Sequence, residues 1–522
     1  MIPMSDTFLR AAGEPLSVGI VARAADHGCR TALVDDEGAV GYDALVELAC
    51  RGAARLLDGR ADLEEARVAL LSPPGRDYVV AQWATWLAGG VAVPLCLTHP
   101  PAEMDYMLAD CGASVLVVHP DYLDAARRLA AGRLASGQPL RIVATADLAT
   151  APPASLPRLS VSRRALIVYT SGTTGKPKGA VTTHAGLSSQ IECLVEAWEW
   201  TADDRILHVL PLHHVHGIVN VLCCALWSGA VCEMLARFDA EEVWRRFESG
   251  RITLFMAVPV IYHRLLAAWE AAPPDRRAAL RAACGHLRLM VCGSAALPVP
   301  LLEAWRTATG HVLLERYGMT EIGMALSNPL HGQRRPGTVG RPLPGVEVRL
   351  VDDAGRPAAA GEPGEIEVRG GNVFLEYWGR PSETAAAFRD GWFRTGDIAS
   401  CRDGVYSILG RSNIDIIKTG AYKVSALEIE QELLGRTDVE ECAVVGVPDE
   451  EWGERVCAAV KWRTGTGMTL DELRDWCKER LAVYKVPSRL VSVPSLPRNA
   501  MGKVTKKEVA ALFHEPPPAA RG

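Results

Sequence analysis

Ten consecutive residues, Thr170-Ser171-Gly172-Thr173-Thr174-Gly175-Lys176-Pro177-Lys178-Gly179, directly follow the apolar run at 165–169. An apolar run of this length reads as a buried strand, so the chain must deliver a sheet strand into a loop of very unusual content. Three glycines let backbone amides approach an anion closely. Four hydroxyls can donate to phosphate oxygens, and two lysines offset polyanion charge. The plain alternative is a solvated hairpin turn. That reading leaves the concentration of glycine, hydroxyl and lysine after a buried strand unexplained. A Walker A loop is excluded, because it needs G-x-x-x-x-G-K-[ST] and the order here is G-x-x-G-K-P. Pro177 also blocks the helix that would open behind Lys176.

The rest of the chain has a matching texture. Short apolar runs at 68–72 and 114–119 flank a helical stretch at 77–87. Further strand-then-turn runs fall at 208–212, 254–258 and 287–292. This alternation is the α/β signature of a mostly parallel sheet. Beyond Arg335, Pro336, Gly337, Gly340, Pro342, Pro344 and Gly345 punctuate β-like runs at 346–352 and 364–369, which predicts a β subdomain. A second change comes near 410–413. After it a helix at 426–434, strands at 441–447 and 457–462 and a helix at 470–481 form a compact α+β pattern. We therefore expect a large N-terminal α/β region with a β subdomain over 1–411 and a small α+β C-terminal domain over 412–522. The tail at 516–522 reads as disordered from its Pro/Ala content.

Composition narrows the partners. The net charge is −6, and basic residues are scattered, so there is no footprint for nucleic acid. Fourteen cysteines show no C-x-x-C pair, which fits free thiols in a reducing compartment and predicts a cytoplasmic protein. Residues 1–19 lack the apolar core of a signal peptide, and no apolar run is long enough to predict a membrane span.

Seven segments occur in order: YTSGTTGKPKG, PLHHVHG, GSAALP, ERYGMTE, WFRTGD, LGRSNIDIIKTG and PRNAMGK. Together they resemble the acyl-adenylate-forming superfamily of acyl-CoA synthetases, aryl ligases and luciferases, from about residue 15 to residue 510. The resemblance implies a large N-terminal region with a mobile C-terminal domain. It also implies ATP, Mg²⁺ and coenzyme A as reactants. A carboxylate would attack the α-phosphate of ATP, and a thiol would then displace AMP. Thr170, Ser171, Gly172, Thr173, Thr174, Gly175, Lys176, Pro177 and Lys178 would hold the β- and γ-phosphates. Glu321 would help bind Mg²⁺, with the Thr320 hydroxyl near the α-phosphate. Gly293, Ser294, Ala295 and Tyr317, with Gly318 and Met319, would flank the nucleotide. Asp397 would accept from the ribose hydroxyls, assisted by Arg411. Lys503 would reach the α-phosphate during adenylation, and Lys418 would belong to the face presented during thioester formation. His214 would gate the acyl pocket. His216, beside it, is assigned no special role.

Arg316 bears on which acid is used. Many family members with apolar or aryl substrates carry glycine there. An arginine in an apolar pocket needs an anion, and a second substrate carboxylate is the natural partner. Arg264 is a candidate second arm. The combination resembles malonyl-CoA synthetases and implies a small dicarboxylic acid, malonate, with methylmalonate as the other candidate. The alternative is that Arg316 pairs internally, with Glu315 for example, and lines no pocket. Two positions depart from the family pattern. Asn413 stands where the hinge usually has Asp or Lys. Ala421 stands beside Gly420 in the expected pantetheine tunnel, where glycine is usual. A carrier protein stays open as the acyl acceptor in place of coenzyme A.

Overall fold

The computed structural model describes residues 18–513, apart from 136, 153, 171–175, 360, 412–413, 420–421, 450–451 and 499–503. Two large sheets dominate the first 411 residues. The seven-stranded sheet runs, in spatial order, Glu376–Tyr377, Lys178–Thr183, Arg164–Thr170, Val91–Pro94, Arg67–Leu71, Val115–Val118, Arg141–Ala144. Its last five strands are parallel. Alternate residues of its strands enter different cores, Val68 and Leu70 one, Ala69 and Leu71 the other. That is the pattern of a sheet covered on both faces. The nine-stranded sheet contains Arg205–His208, Leu254–Ala257, Leu289–Cys292 and Leu314–Met319 as neighbours.

Helix Arg76–Leu87 is buried at every position from Tyr78 to Leu87. A helix apolar all round belongs inside the protein, not on its surface. Trp86 donates its indole N–H to Ala165 O at 2.7 Å, fixing the helix against the strand that leads into the glycine-rich loop. The β subdomain is an antiparallel sheet of Val346–Val351, Gly364–Gly370, Trp392–Arg402, Phe388–Arg389 and Val405–Arg411.

The C-terminal segment has its own sheet, with helix Ala426–Leu434 and helix Leu470–Lys478 on one face and Lys506–Ala511 on the other. Ser425 caps the first helix by accepting from Glu428 N, and Thr469 with Glu472 forms a capping box on the second. The expected α/β plus small α+β architecture is therefore observed. Two local expectations are corrected. The strand predicted at 208–212 is Arg205–His208. Pro211 has no N–H for a ladder, and its carbonyl lies 2.4 Å from where a Cβ on Gly217 would stand, so the loop folds back tightly on the next helix. The helix predicted at 470–481 stops at Lys478, and Leu481 N–H returns to Cys477 O. No helix among the described residues is long and apolar enough to cross a membrane.

Candidate active site

Four neighbouring parallel strands end at one edge of the nine-stranded sheet. The segments leaving that edge are 209–217, the helix Pro259–Ala271, Gly293-Ser294-Ala295, and the carboxyl half of Leu314–Met319 with Thr320-Glu321. Open α/β sheets bind ligands at this edge.

Arg316 lies there, 2% exposed, with His216 at 4%. His216 opens a π-helix, His216–Cys223. Ser294 joins the two: Arg316 Nη2 donates to Ser294 Oγ at 3.3 Å, and Ser294 Oγ is 3.2 Å from His216 Nδ1. Ser294 itself has φ 68°, a left-handed conformation costing a non-glycine residue about 1–3 kcal/mol. Arg316 Nε, Arg316 Nη1 and His216 Nε2 are buried and have no hydrogen-bond partner among the described residues. Neighbouring residues on a strand face opposite ways, and Glu315 turns away. Its Oε1 accepts from Leu297 N at 3.2 Å, and burial pushes its carboxyl up to about 7. The internal Arg316–Glu315 pair is thus absent among the described residues. Burial pulls the Arg316 guanidinium down to about 10, with Cys292 and Glu315 opposing, so it stays cationic at neutral pH. Burial, then Arg316, hold His216 neutral by pushing its pKa well below 6.5. A lone buried cation with spare donors is costly unless an anion joins it.

Gly293 makes this seat possible. A Cβ there would stand 2.6 Å from Arg316 Cζ and 2.7 Å from Nε and Nη1. A side chain at 293 must displace the guanidinium.

A second group lies on the β subdomain. Asp397 and Arg411 are register partners on adjacent strands. Arg411 Nε lies 3.2 Å from Asp397 Oδ1, and Tyr317 donates its hydroxyl to Asp397 Oδ2 at 2.5 Å. Burial raises the Asp397 pKa, and Arg411 and Tyr317 pull it back. The carboxylate thus joins the β subdomain to the nine-stranded sheet.

A third group surrounds Glu321, which is 5% exposed. Tyr377, a residue that sequence reasoning missed, donates its hydroxyl to Glu321 Oε1 at 2.8 Å. Lys178 ion-pairs with Glu383 and lies over the Tyr377 ring, 5.4 Å from its centroid. Lys176 lies over the Tyr106 ring at 5.1 Å, and Tyr106 donates to Pro177 O. Among the described residues no group of three or more His, Cys, Asp or Glu could hold a metal. A single buried carboxylate fits a magnesium ion bound mainly through phosphates.

The other predicted residues are placed as follows. His214 is half-buried, its ring 4.4 Å from that of His213. Thr170 ends its strand, and Gly318 and Met319 end theirs. Ala295 is exposed beside Ser294. Arg264 is exposed on helix Pro259–Ala271, whose buried face is Ile261, Tyr262, Leu265 and Leu266. Lys418 is exposed on strand Ile416–Thr419, in the C-terminal sheet. Ser171, Gly172, Thr173, Thr174, Gly175, Asn413, Gly420, Ala421 and Lys503 lie outside the described residues.

The family pattern of AMP-binding enzymes matches residues 20–378, and that of the AMP-binding enzyme C-terminal domain matches 428–503. A mitochondrial malonate–CoA ligase of Mus musculus is 48% identical over 94% of this chain and 90% of its own length. A malonate–CoA ligase of Arabidopsis thaliana is 42% identical over 87% of this chain and 79% of its own. Among solved structures, ATP-bound MatB from Rhodopseudomonas palustris superposes with a TM-score of 0.86 at 34% identity, covering 95% of this chain and 99% of that one. A malonyl-CoA ligase holding methylmalonyl-CoA and AMP gives 0.64 at 38% identity, covering 93% and 99%. With the family pattern matching residues 20–378 and relatives 42% and 48% identical covering 87% and 94% of it, the chain belongs to the AMP-binding enzyme family.

Proposed function

We propose that this chain is an AMP-forming malonate–CoA ligase. One malonate carboxylate attacks the α-phosphorus of ATP, and pyrophosphate leaves. The thiol of coenzyme A then attacks the acyl carbon, and AMP leaves. The observation that carries the substrate assignment is the buried Arg316 guanidinium, which has spare donors and no carboxylate partner among the described residues. The carboxylate of malonate that does not react supplies the missing anion. If the single hydroxyl hydrogen of Ser294 goes to His216 Nδ1, then Nε2 carries a hydrogen and becomes a third donor to that carboxylate. His216 thereby gains a role the sequence did not assign to it. Arg264, exposed on a helix that opens at the same sheet edge, is the candidate second arm.

For the nucleotide we assign the phosphates to 170–178, the nucleotide walls to Gly293, Ser294, Ala295, Tyr317, Gly318 and Met319, and the ribose to Asp397 with Arg411. Mg²⁺ would supply charge neutralisation on the phosphates, and Glu321 with Thr320 would hold it and the α-phosphate. Lys503 provides the cation for adenylation, and Lys418 and the 420–421 turn serve the thioester step, gated by His214. The two C-terminal cores contain no residue before Ile417, which supports a domain boundary at 411/412. We place the enzyme in the cytoplasm, consistent with its free cysteines. Its relative in Mus musculus is mitochondrial, and cell fractionation decides between the compartments.

The direct test offers acetate, butyrate, malonate, methylmalonate and succinate with ATP, with and without coenzyme A, reading pyrophosphate and product mass. Malonate-dependent pyrophosphate release and malonyl-CoA are expected. Malonyl-AMP that builds up with coenzyme A present, and that a carrier protein discharges, would instead favour carrier loading. A second test is Gly293→Ala, whose backbone angles suit alanine but whose new Cβ collides with Arg316. Small displacements of a positioning group cost about a hundredfold in rate, so kcat/KM for malonate should fall by about that factor. Wild-type kcat/KM in Gly293→Ala would mean that the guanidinium position is irrelevant to turnover.

A further inference from the structure

Tyr377 sits where three segments meet. It lies on the two-residue strand Glu376–Tyr377, paired antiparallel with Lys178–Thr183, the strand leaving the glycine-rich loop. Its hydroxyl reaches across to Glu321 Oε1, and its ring face carries the Lys178 ammonium. The tyrosine is itself fixed. Its N–H donates to Thr384 Oγ1 at 3.0 Å, and Phe374 packs edge-on against the ring, centroids 4.8 Å apart. Phe374 also donates its N–H to Glu321 O at 2.7 Å, so one short segment holds both the main chain and the side chain of the glutamate. Glu321 Oε2 makes no hydrogen bond to another described residue. A carboxylate with one oxygen taken by a phenol is locked in rotamer and offers its other oxygen. Glu383 takes one side of the Lys178 ammonium, and the aromatic face holds it without consuming its remaining hydrogen-bond donors, which stay available to phosphate.

We propose that Tyr377 is the positioning residue of the metal–triphosphate site: its hydroxyl aims Glu321 at the metal, and its ring holds Lys178 at the phosphates. This rests on the reading of Glu321 as a metal-binding carboxylate.

The test uses the full chain and three variants, Tyr377→Phe, Tyr377→Leu and Glu321→Gln. Calorimetry measures ATP binding in EDTA and in Mg²⁺, and pyrophosphate release gives the Mg²⁺ half-saturation. Tyr377→Phe keeps the ring and loses only the hydrogen bond. It should raise the Mg²⁺ half-saturation about tenfold, the lower end of what supporting residues contribute to metal affinity, while ATP binding in EDTA stays at the wild-type value. Tyr377→Leu should also weaken ATP binding in EDTA, because Lys178 loses its platform. Wild-type Mg²⁺ half-saturation in Tyr377→Phe, with Glu321→Gln strongly shifted, overturns the role of Tyr377 alone. If Glu321→Gln leaves the Mg²⁺ dependence unmoved, the metal reading of Glu321 fails and takes the inference with it.

Discussion

Arg316→Met is expected to lose malonate activation and to gain stability at the same time. Removing one partner of a buried, hydrogen-bonded charge pair typically costs about 2–5 kcal/mol. Applied to the pair that Arg316 would form with the distal carboxylate, that is roughly a 30-fold to several-thousand-fold fall in kcat/KM for malonate. ATP binding should be much less affected, because Arg316 makes no hydrogen bond to the described residues assigned to the phosphates or the ribose and reaches the nucleotide wall through Ser294 alone. Stability should move the other way. In the free protein Arg316 is 2% exposed, with two of its guanidinium nitrogens unpartnered among the described residues. A methionine of similar length fills the seat without a charge to desolvate, and such replacements are neutral or stabilising by about 1–4 kcal/mol. Opposed changes in activity and in urea midpoint mark a residue kept for its ligand rather than for the fold. The variant should also accept a monocarboxylate such as butyrate better than the wild type does. A variant that unfolds more easily and turns over malonate normally would make Arg316 a structural residue and remove the case for a dicarboxylate.

Much of this site was readable before any coordinates. The strand–loop junction at Thr170 is legible from its own residues, because a phosphate loop needs glycines, hydroxyls and cations close together, whereas Thr320-Glu321 and Asp397 with Arg411 were legible only through the resemblance of the ordered segments to a known family. Arg316 was conspicuous against the family it resembles, where glycine is common at that position. What sequence could not give were contacts set by folding. Ser294 lies 22 residues from Arg316 and 78 from His216, and only the sheet order brings them together. Gly293 was assigned only to the nucleotide wall, yet it is also the empty space that seats a guanidinium. Tyr377 and Glu321 are 56 residues apart, and nothing in the string EYWGRP signals a carboxylate across the sheet edge. The strand at 205–208 was misplaced because 209–212 is as apolar as a strand while its backbone turns at Pro211. Local chemistry is written in order along the chain. Side-chain support for that chemistry is written in register and packing, which a single sequence does not display.

The C-terminal domain shows the same division, and Lys506→Met should be the most destabilising single change there. Lys506 Nζ lies 2.7 Å from Asp415 Oδ1 and 2.7 Å from Glu430 Oε1, with all three side chains nearly buried. Asp415 Oδ2 also accepts from Arg411 N at 3.1 Å, and Glu430 Oε1 accepts from Val444 N at 2.7 Å. One ammonium therefore ties the last helix to the first helix of the domain and to the residue that grips the end of strand Val405–Arg411. It stands three residues after Lys503, so its loss should also slow adenylation. Removing it leaves two carboxylates facing each other, and breaking a buried pair in this way costs about 3–5 kcal/mol. The deficit should depend on pH. Burial already raises the Glu430 pKa above 4.5, with Lys506 as the largest opposing influence, so without Lys506 it rises further. A carboxyl whose folded pKa exceeds its unfolded one loses stability as pH rises between the two values. Urea midpoints of the variant should therefore lie further below wild type at about pH 8 than at about pH 5. Glu430→Gln added to Lys506→Met removes one charge, keeps an acceptor for Val444 N–H, and should recover part of the loss at the higher pH. A deficit equal at both values, with no recovery from Glu430→Gln, would mean that packing rather than charge is what Lys506 supplies.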